Sequence, residues 1–175
     1  SDFGQFSNRG GDRWGVRCAQ SDPTPCLPGD DGYDPGNAFS YANGGPVPLA
    51  HPELAFSDSD ARDLMKKRLR YVVARWGSFR SVLAWELMNE LQFVGSDAAN
   101  PYTSSQVRSD LVNWHSDLAG YLKATDLFSH LVTTSSAIQD SDGSLTELNA
   151  IWALPSVDHI RAEIDGRKLA ADDPA

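Results

Sequence analysis

Asn89 and Glu90 place an amide and a carboxyl side by side at the end of an apolar run. A carboxyl can deliver or remove a proton in a reacting bond. An amide offers two donors and an acceptor to a hydroxyl. Together the two can hold a hydroxylated ligand and move a proton beside it. Val82, Leu83, Ala84, Trp85, Glu86, Leu87 and Met88 precede them and read as a buried parallel strand, which is a near-continuous hydrophobic run. In α/β folds the chemistry sits just past the carboxyl ends of such strands. In an unbroken strand Ala84, Glu86, Met88 and Glu90 share one face, and Leu83, Trp85, Leu87 and Asn89 the other. Glu86 then lies in an enclosed layer beneath Glu90, where a carboxylate needs a cationic or hydrogen-bonding partner. Taken alone, an Asn-Glu pair more often just starts a turn. Its context has to carry the argument.

Other chemistry is thinly represented. His51, His115, His130 and His159 are scattered without ligand spacing, and no metal site or cofactor is expected. Asp140, Asp142, Gly143 and Glu147 faintly resemble a calcium loop but lack its 12-residue spacing, so a turn that caps the next helix is the reading. No phosphate loop, dinucleotide glycine pattern or nucleophile elbow is present. Cys18 and Cys26 lie eight apart in a loop rich in Pro, Gly and Asp. A local disulfide, which would imply an oxidising compartment, and two free thiols both fit. Trp14 and Trp152 could stack on the apolar face of a sugar ring, although core packing accounts for such residues more often.

The elements that must position Asn89 and Glu90 follow from periodicity. Residues 1–57 form a loop-rich region with turn chemistry at Gly10, Gly11, Pro28, Gly29, Gly44 and Gly45. A loop of that length inside a domain is usually functional or disordered, and Phe3, Phe6, Trp14, Tyr33, Phe39 and Tyr41 supply material for packing. Residues 58–166 form the βα core. Ser57 or Asp58 caps a helix whose apolar face is Ala61, Leu64, Met65, Leu69, Val72, Val73 and Trp76, and Gly77 ends it. The strand over 82–88 comes next. A second helix opens near Thr103 or Ser104, buries Val107, Leu111, Trp114, Leu118, Tyr121 and Leu122, and exits at Asp126 to Ser129. A β-branched strand over 131–134, a short helix over 145–154 and a last strand over 157–164 complete the pattern. Residues 167–175 read as a polar tail. Alternation of this kind predicts a parallel sheet with crossover helices.

Composition narrows the partners. The 175 residues carry a formal net charge of −9, which repels nucleic acid and anionic membranes but leaves a neutral ligand unaffected. Lys66, Lys67, Arg68, Arg70, Arg75 and Arg80 cluster on the first helix and its exit, the pattern of a solvated face. No apolar stretch is long enough to span a bilayer, and no signal or transit peptide is expected within these residues.

Val82 through Glu90 strongly resembles the fourth barrel strand of clan A glycoside hydrolases, the cellulase- and mannanase-like, family 5-like enzymes with a (β/α)8 barrel. Arg68 to Gly77 resembles the helix and exit turn before that strand, and Tyr41 to Pro46 a loop after the third. Residues 114–122 with His130, Leu131, Val132, Thr133, Thr134 and Ser135 resemble the next helix and fifth strand. Ile151, Trp152, Ala153, Leu154 and Pro155 with Val157 and Asp158 resemble the approach to the sixth. The resemblance implies a partial (β/α)8 TIM barrel, about strands 3 to 6, and a secreted enzyme that hydrolyses β-linked poly- or oligosaccharides with retention. It implies Glu90 as general acid/base and Asn89 as ligand of the sugar 2-hydroxyl; Trp14 and Trp152 are candidate sugar platforms by their aromatic faces alone. A retaining enzyme needs a second carboxyl about 5 to 5.5 Å away. The family takes it from strand seven, so the nucleophile is expected outside this central fragment. Glu163 and Asp165 stand where the family often carries a His and a Tyr, and a surface role is the plainer reading of Glu163. The competing expectation is a catalytically inert truncated barrel that serves as a carbohydrate-binding or scaffold protein.

Overall fold

The computed structural model describes residues 38–41, 44–48, 51–89, 91–96, 98–135 and 146–158. Glu90, Trp14, Cys18, Cys26, Glu163, Asp165, the Asp140–Gly143 turn, the last strand beyond 158 and the polar tail lie outside them.

Helix α1 runs over Ser59–Trp76. Asp58 caps it, accepting from the Ala61 N–H at 2.8 Å, the use of a carboxylate at a helix start that its four orphan N–H groups favour. At the other end the Gly77 N–H donates to Val73 O. A Cβ on Gly77 would lie 2.7 Å from that same oxygen, so the exit turn requires glycine. Strand β1 is Ala84–Glu86. Helix α2 spans Ser105–Thr125, with Ser104 accepting from the Val107 N–H and Asp126 as its last cap. Strand β2 is Leu131–Thr133 and pairs in parallel with β1, Trp85 opposite Val132. A single turn of α3, Asn149–Trp152, closes the described chain. The βαβ unit predicted from the alternation is present. Its strands are shorter than the apolar runs that encode them.

The core has two parts. The larger joins Phe56, Met65, Met88, Leu91, Val94, Leu111, Trp114 and Ile151 around the inner face of α2. Trp114 is fully buried and meets Phe56 edge to face, their ring centroids 5.6 Å apart. Burying side chains of this size stabilises by about 2 to 3 kcal/mol each. Val107, Leu111, Trp114, Leu118 and Leu122 are all buried, as their spacing predicts, whereas Tyr121 beside them is only half-buried. The smaller part, Val73, Ala119, Leu122, Val132 and Val157, fills the space between α1, α2 and the sheet. Trp76 departs from expectation. It is 41% exposed, its ring edge against Tyr71 and the Arg75 guanidinium over its face.

Upstream of α1, local turns bring the loop region onto this core. The Val47 N–H donates to Phe39 O, the Tyr41 N–H to Val47 O and the Gly45 N–H to Ser40 O. Phe39 and Val47 are buried in the larger cluster. Gly45 permits the approach, since a Cβ there would meet the carbonyls of Ala38 and Phe39 at 2.3 to 2.4 Å.

Candidate active site at the end of β1

The carboxyl ends of β1 and β2 do not stay in register. Up to Leu87 the ladder is regular: Leu131 N–H donates to Leu83 O and Leu87 N–H to Thr133 O. Continued pairing would send the Ser135 N–H to Leu87 O. It goes to Met88 O instead, at 3.0 Å, and the Leu91 N–H returns to Ser135 O at 3.3 Å. The first strand has gained residues on its partner, the signature of a bulge, which re-aims side chains and commonly lies beside functional sites. The expectation drawn from strict alternation therefore fails. Asn89 and Glu86, assigned to opposite faces, meet at one hydroxyl: Ser135 Oγ lies 2.6 Å from Glu86 Oε1 and 2.9 Å from Asn89 Oδ1.

Glu86 is corrected in a second respect. It is exposed, not enclosed, because among the described residues β1 is paired on one edge only. Its hydrogen-bonding partner is the Ser135 hydroxyl. Met88 turns inward and is 2% exposed, while Asn89 is half-buried at the rim.

A buried polar layer lies directly behind this strand end. Thr134 Oγ1 donates to Met88 O at 2.8 Å, and His115 Nε2 lies 3.1 Å from the same hydroxyl. His115 Nδ1 is 2.7 Å from Leu111 O. A carbonyl only accepts, so Nδ1 carries the ring proton and Nε2 is left to accept when the ring is neutral. Burial, only partly offset by the bond to Leu111, lowers the His115 pKa from 6.5 to about 4. The ring is therefore neutral at pH 7, and the Thr134 proton is shared between Nε2 and Met88 O. Met88 O keeps the Ser135 N–H in either case. This layer ties α2 to the backbone one residue ahead of Asn89.

The amino ends of the strands are held by a different hub. The Asp126 carboxylate accepts from Trp85 Nε1 at 2.9 Å, Phe128 N at 3.0 Å, and His130 N and Nδ1 at 3.0 and 2.7 Å. Burial pushes its pKa up, but these donors outweigh that and hold it at about 2. Asp158 works similarly on the edge of β2 away from β1. Its carboxylate pairs with Lys123 and accepts from the Val132 N–H, and its own N–H donates to Val132 O. The Lys123 bond, chiefly, and the Val132 bond lower its pKa.

Trp152 is half-buried and packs against the smaller core cluster. Among the described residues no His, Cys, Asp and Glu cluster could hold a metal ion, and no helix is long and apolar enough to cross a membrane. An open depression of about 280 Å³ is lined by Arg108, Ser109, Val112, Asn113 and Glu147. The Arg108–Glu147 ion pair occupies its wall, and it includes neither Asn89 nor Glu86. The strand end, where the Asn89 amide and the Glu86 carboxylate meet, has the chemistry that this depression lacks. Sequence reasoning did not single out Ser135, Thr134 or His115. The one signal for the first two was their place just past the neighbouring strand, where a parallel partner must deliver its residues.

No family model matches the chain. Part of it is similar to mannan endo-1,4-β-mannosidase A of Aspergillus aculeatus, 37% identical over 83 residues, which is 45% of this chain and 19% of that protein. The matched stretch thus spans about a fifth of the curated relative. It relates part of this chain to a glycoside hydrolase.

Proposed function

We propose that this chain carries the acid/base strand of a retaining glycoside hydrolase acting on β-linked polysaccharide, with β-1,4-mannan as the first substrate to test. In this reading β1, α2 and β2 are the fourth strand, fourth helix and fifth strand of a (β/α)8 barrel, and the chain covers about strands three to six. Glu90 protonates the glycosidic oxygen and then, as the base, activates the water that releases the sugar. Asn89 holds the sugar 2-hydroxyl. A second carboxyl attacks the anomeric carbon; the reading assigns it to a later strand and to no residue of this chain. Trp14 and Trp152 are candidate platforms for neighbouring sugar rings. An export route to the medium where such polysaccharides occur belongs to the same proposal.

The supporting observation is the bulged end of β1, which gathers Asn89 and Glu86 at the Ser135 hydroxyl in a chain partly similar to a mannosidase. Glu90 to Gln in the protein carrying this chain should abolish release of reducing sugar from β-mannan. Turnover equal to that of the unaltered protein would overturn the assignment.

A second reading rests on the exposure of Glu86 and, among the described residues, the single paired edge of β1. A chain with an open sheet edge and half a catalytic pair can hold glycan without cleaving it. Assaying the purified 175-residue chain on β-mannans and β-glucans separates the two, because measurable hydrolysis is incompatible with an inert binder.

A further inference from the structure

We propose that Ser135 is the positioning residue for Asn89, an inference that rests on the glycosidase reading only for the identity of the ligand. Ser135 grips the end of β1 at four points. Its N–H holds Met88 O at 3.0 Å and its carbonyl accepts from the Leu91 N–H at 3.3 Å. Its hydroxyl reaches Glu86 Oε1 at 2.6 Å and Asn89 Oδ1 at 2.9 Å. The residues on both sides of Glu90 are thus tied to one residue of the adjacent strand.

The hydroxyl has one proton and two acceptors. A carboxylate is the stronger acceptor, so the proton goes first to Glu86. With that proton on Glu86, Asn89 is tethered by its turned-over amide, donating through Nδ2 to Ser135 Oγ, and when the proton swings to Asn89 its Oδ1 accepts. The side chain is anchored at its tip while the bulge anchors its backbone. A ligand hydroxyl then meets an amide whose rotamer is already set, and such preorganisation removes an ordering cost from binding.

The test uses the ¹⁵N-labelled chain. The Asn89 side-chain NH2 signals, identified by their loss in Asn89→Asp, report order directly. In Ser135→Ala their order parameter should fall below about 0.6, the range of flexible groups, and Ser135→Thr, which keeps a hydroxyl, should restore it. The backbone amides of Leu91 and residue 135 should keep their exchange protection in both variants, since their bonds do not involve the hydroxyl. An Asn89 signal equally ordered in Ser135→Ala overturns the proposal. Loss of protection at both amides that Ser135→Thr does not restore also overturns it, because position 135 would then be supporting the fold rather than the amide. Titration with mannotetraose keeps the two readings distinct. Failure of the unaltered chain to bind counts against the glycan assignment and leaves the Asn89 result standing.

Discussion

Acidification should destabilise this chain through His115, and the size of the effect follows from its burial. His115 has 0% exposure, and its pKa falls from 6.5 to about 4 on folding. Between those values the unfolded chain binds a proton that the folded chain does not. Stability therefore falls as pH drops. The contribution is fully present above pH 6.5. It declines by about 2 kcal/mol at pH 5 and about 3 kcal/mol at pH 4, at about 1.4 kcal/mol per pH unit. His115→Phe isolates it. Phenylalanine fills a similar volume and does not titrate, Thr134 can give its proton wholly to Met88 O, and Leu111 O retains its helical bond. Urea unfolding at pH 7, 6, 5 and 4.5 should show a steeper loss for the unaltered chain than for His115→Phe, with the difference growing to about 2 kcal/mol at pH 5. Parallel pH dependences in the two proteins would refute the claim that His115 is buried and neutral behind the strand end.

Asp126→Ala should cost about 2 to 4 kcal/mol, since it leaves the partly buried donors of Trp85 and His130 without their acceptor; chemical unfolding followed by Trp fluorescence measures it, and a loss under 1 kcal/mol would contradict the hub. Gly45→Ala should destabilise by about 2 kcal/mol or more, because the added Cβ meets backbone rather than a movable side chain. Its urea midpoint should drop without a change in slope, and an unchanged midpoint would mean the loop does not pack as described.

Much of the scaffold was legible because its signals are local. Asp58, Gly77, Ser104 and Asp126 cap and end α1 and α2 as their residue types predict, and Val107, Leu111, Trp114, Leu118 and Leu122 of α2 are buried at helical spacing. The Asn89–Glu90 strand end was also visible, as a polar stop after an apolar run. The face of Asn89 was not. Strict alternation assumes that no residue is inserted, and nothing in residues 82–89 announces that the register slips after Leu87. Ser135 was equally hidden, since its importance comes from contacts 46 and 49 residues away. Trp76 marks a different limit. Its spacing puts it on the apolar face, but the helix end carries it past the core, where Tyr71 and Arg75 cover it only in part.

The central claim is that Glu90 moves the proton in glycoside cleavage, and leaving-group dependence tests it most directly. Glu90→Ala in the protein carrying this chain should be assayed on β-mannan and on a dinitrophenyl β-mannobioside, whose leaving group departs without an acid. The account predicts a loss on mannan of about 10² to 10⁴-fold, with the burst of dinitrophenol largely kept. An equal loss on both substrates, or no loss on mannan, would contradict it.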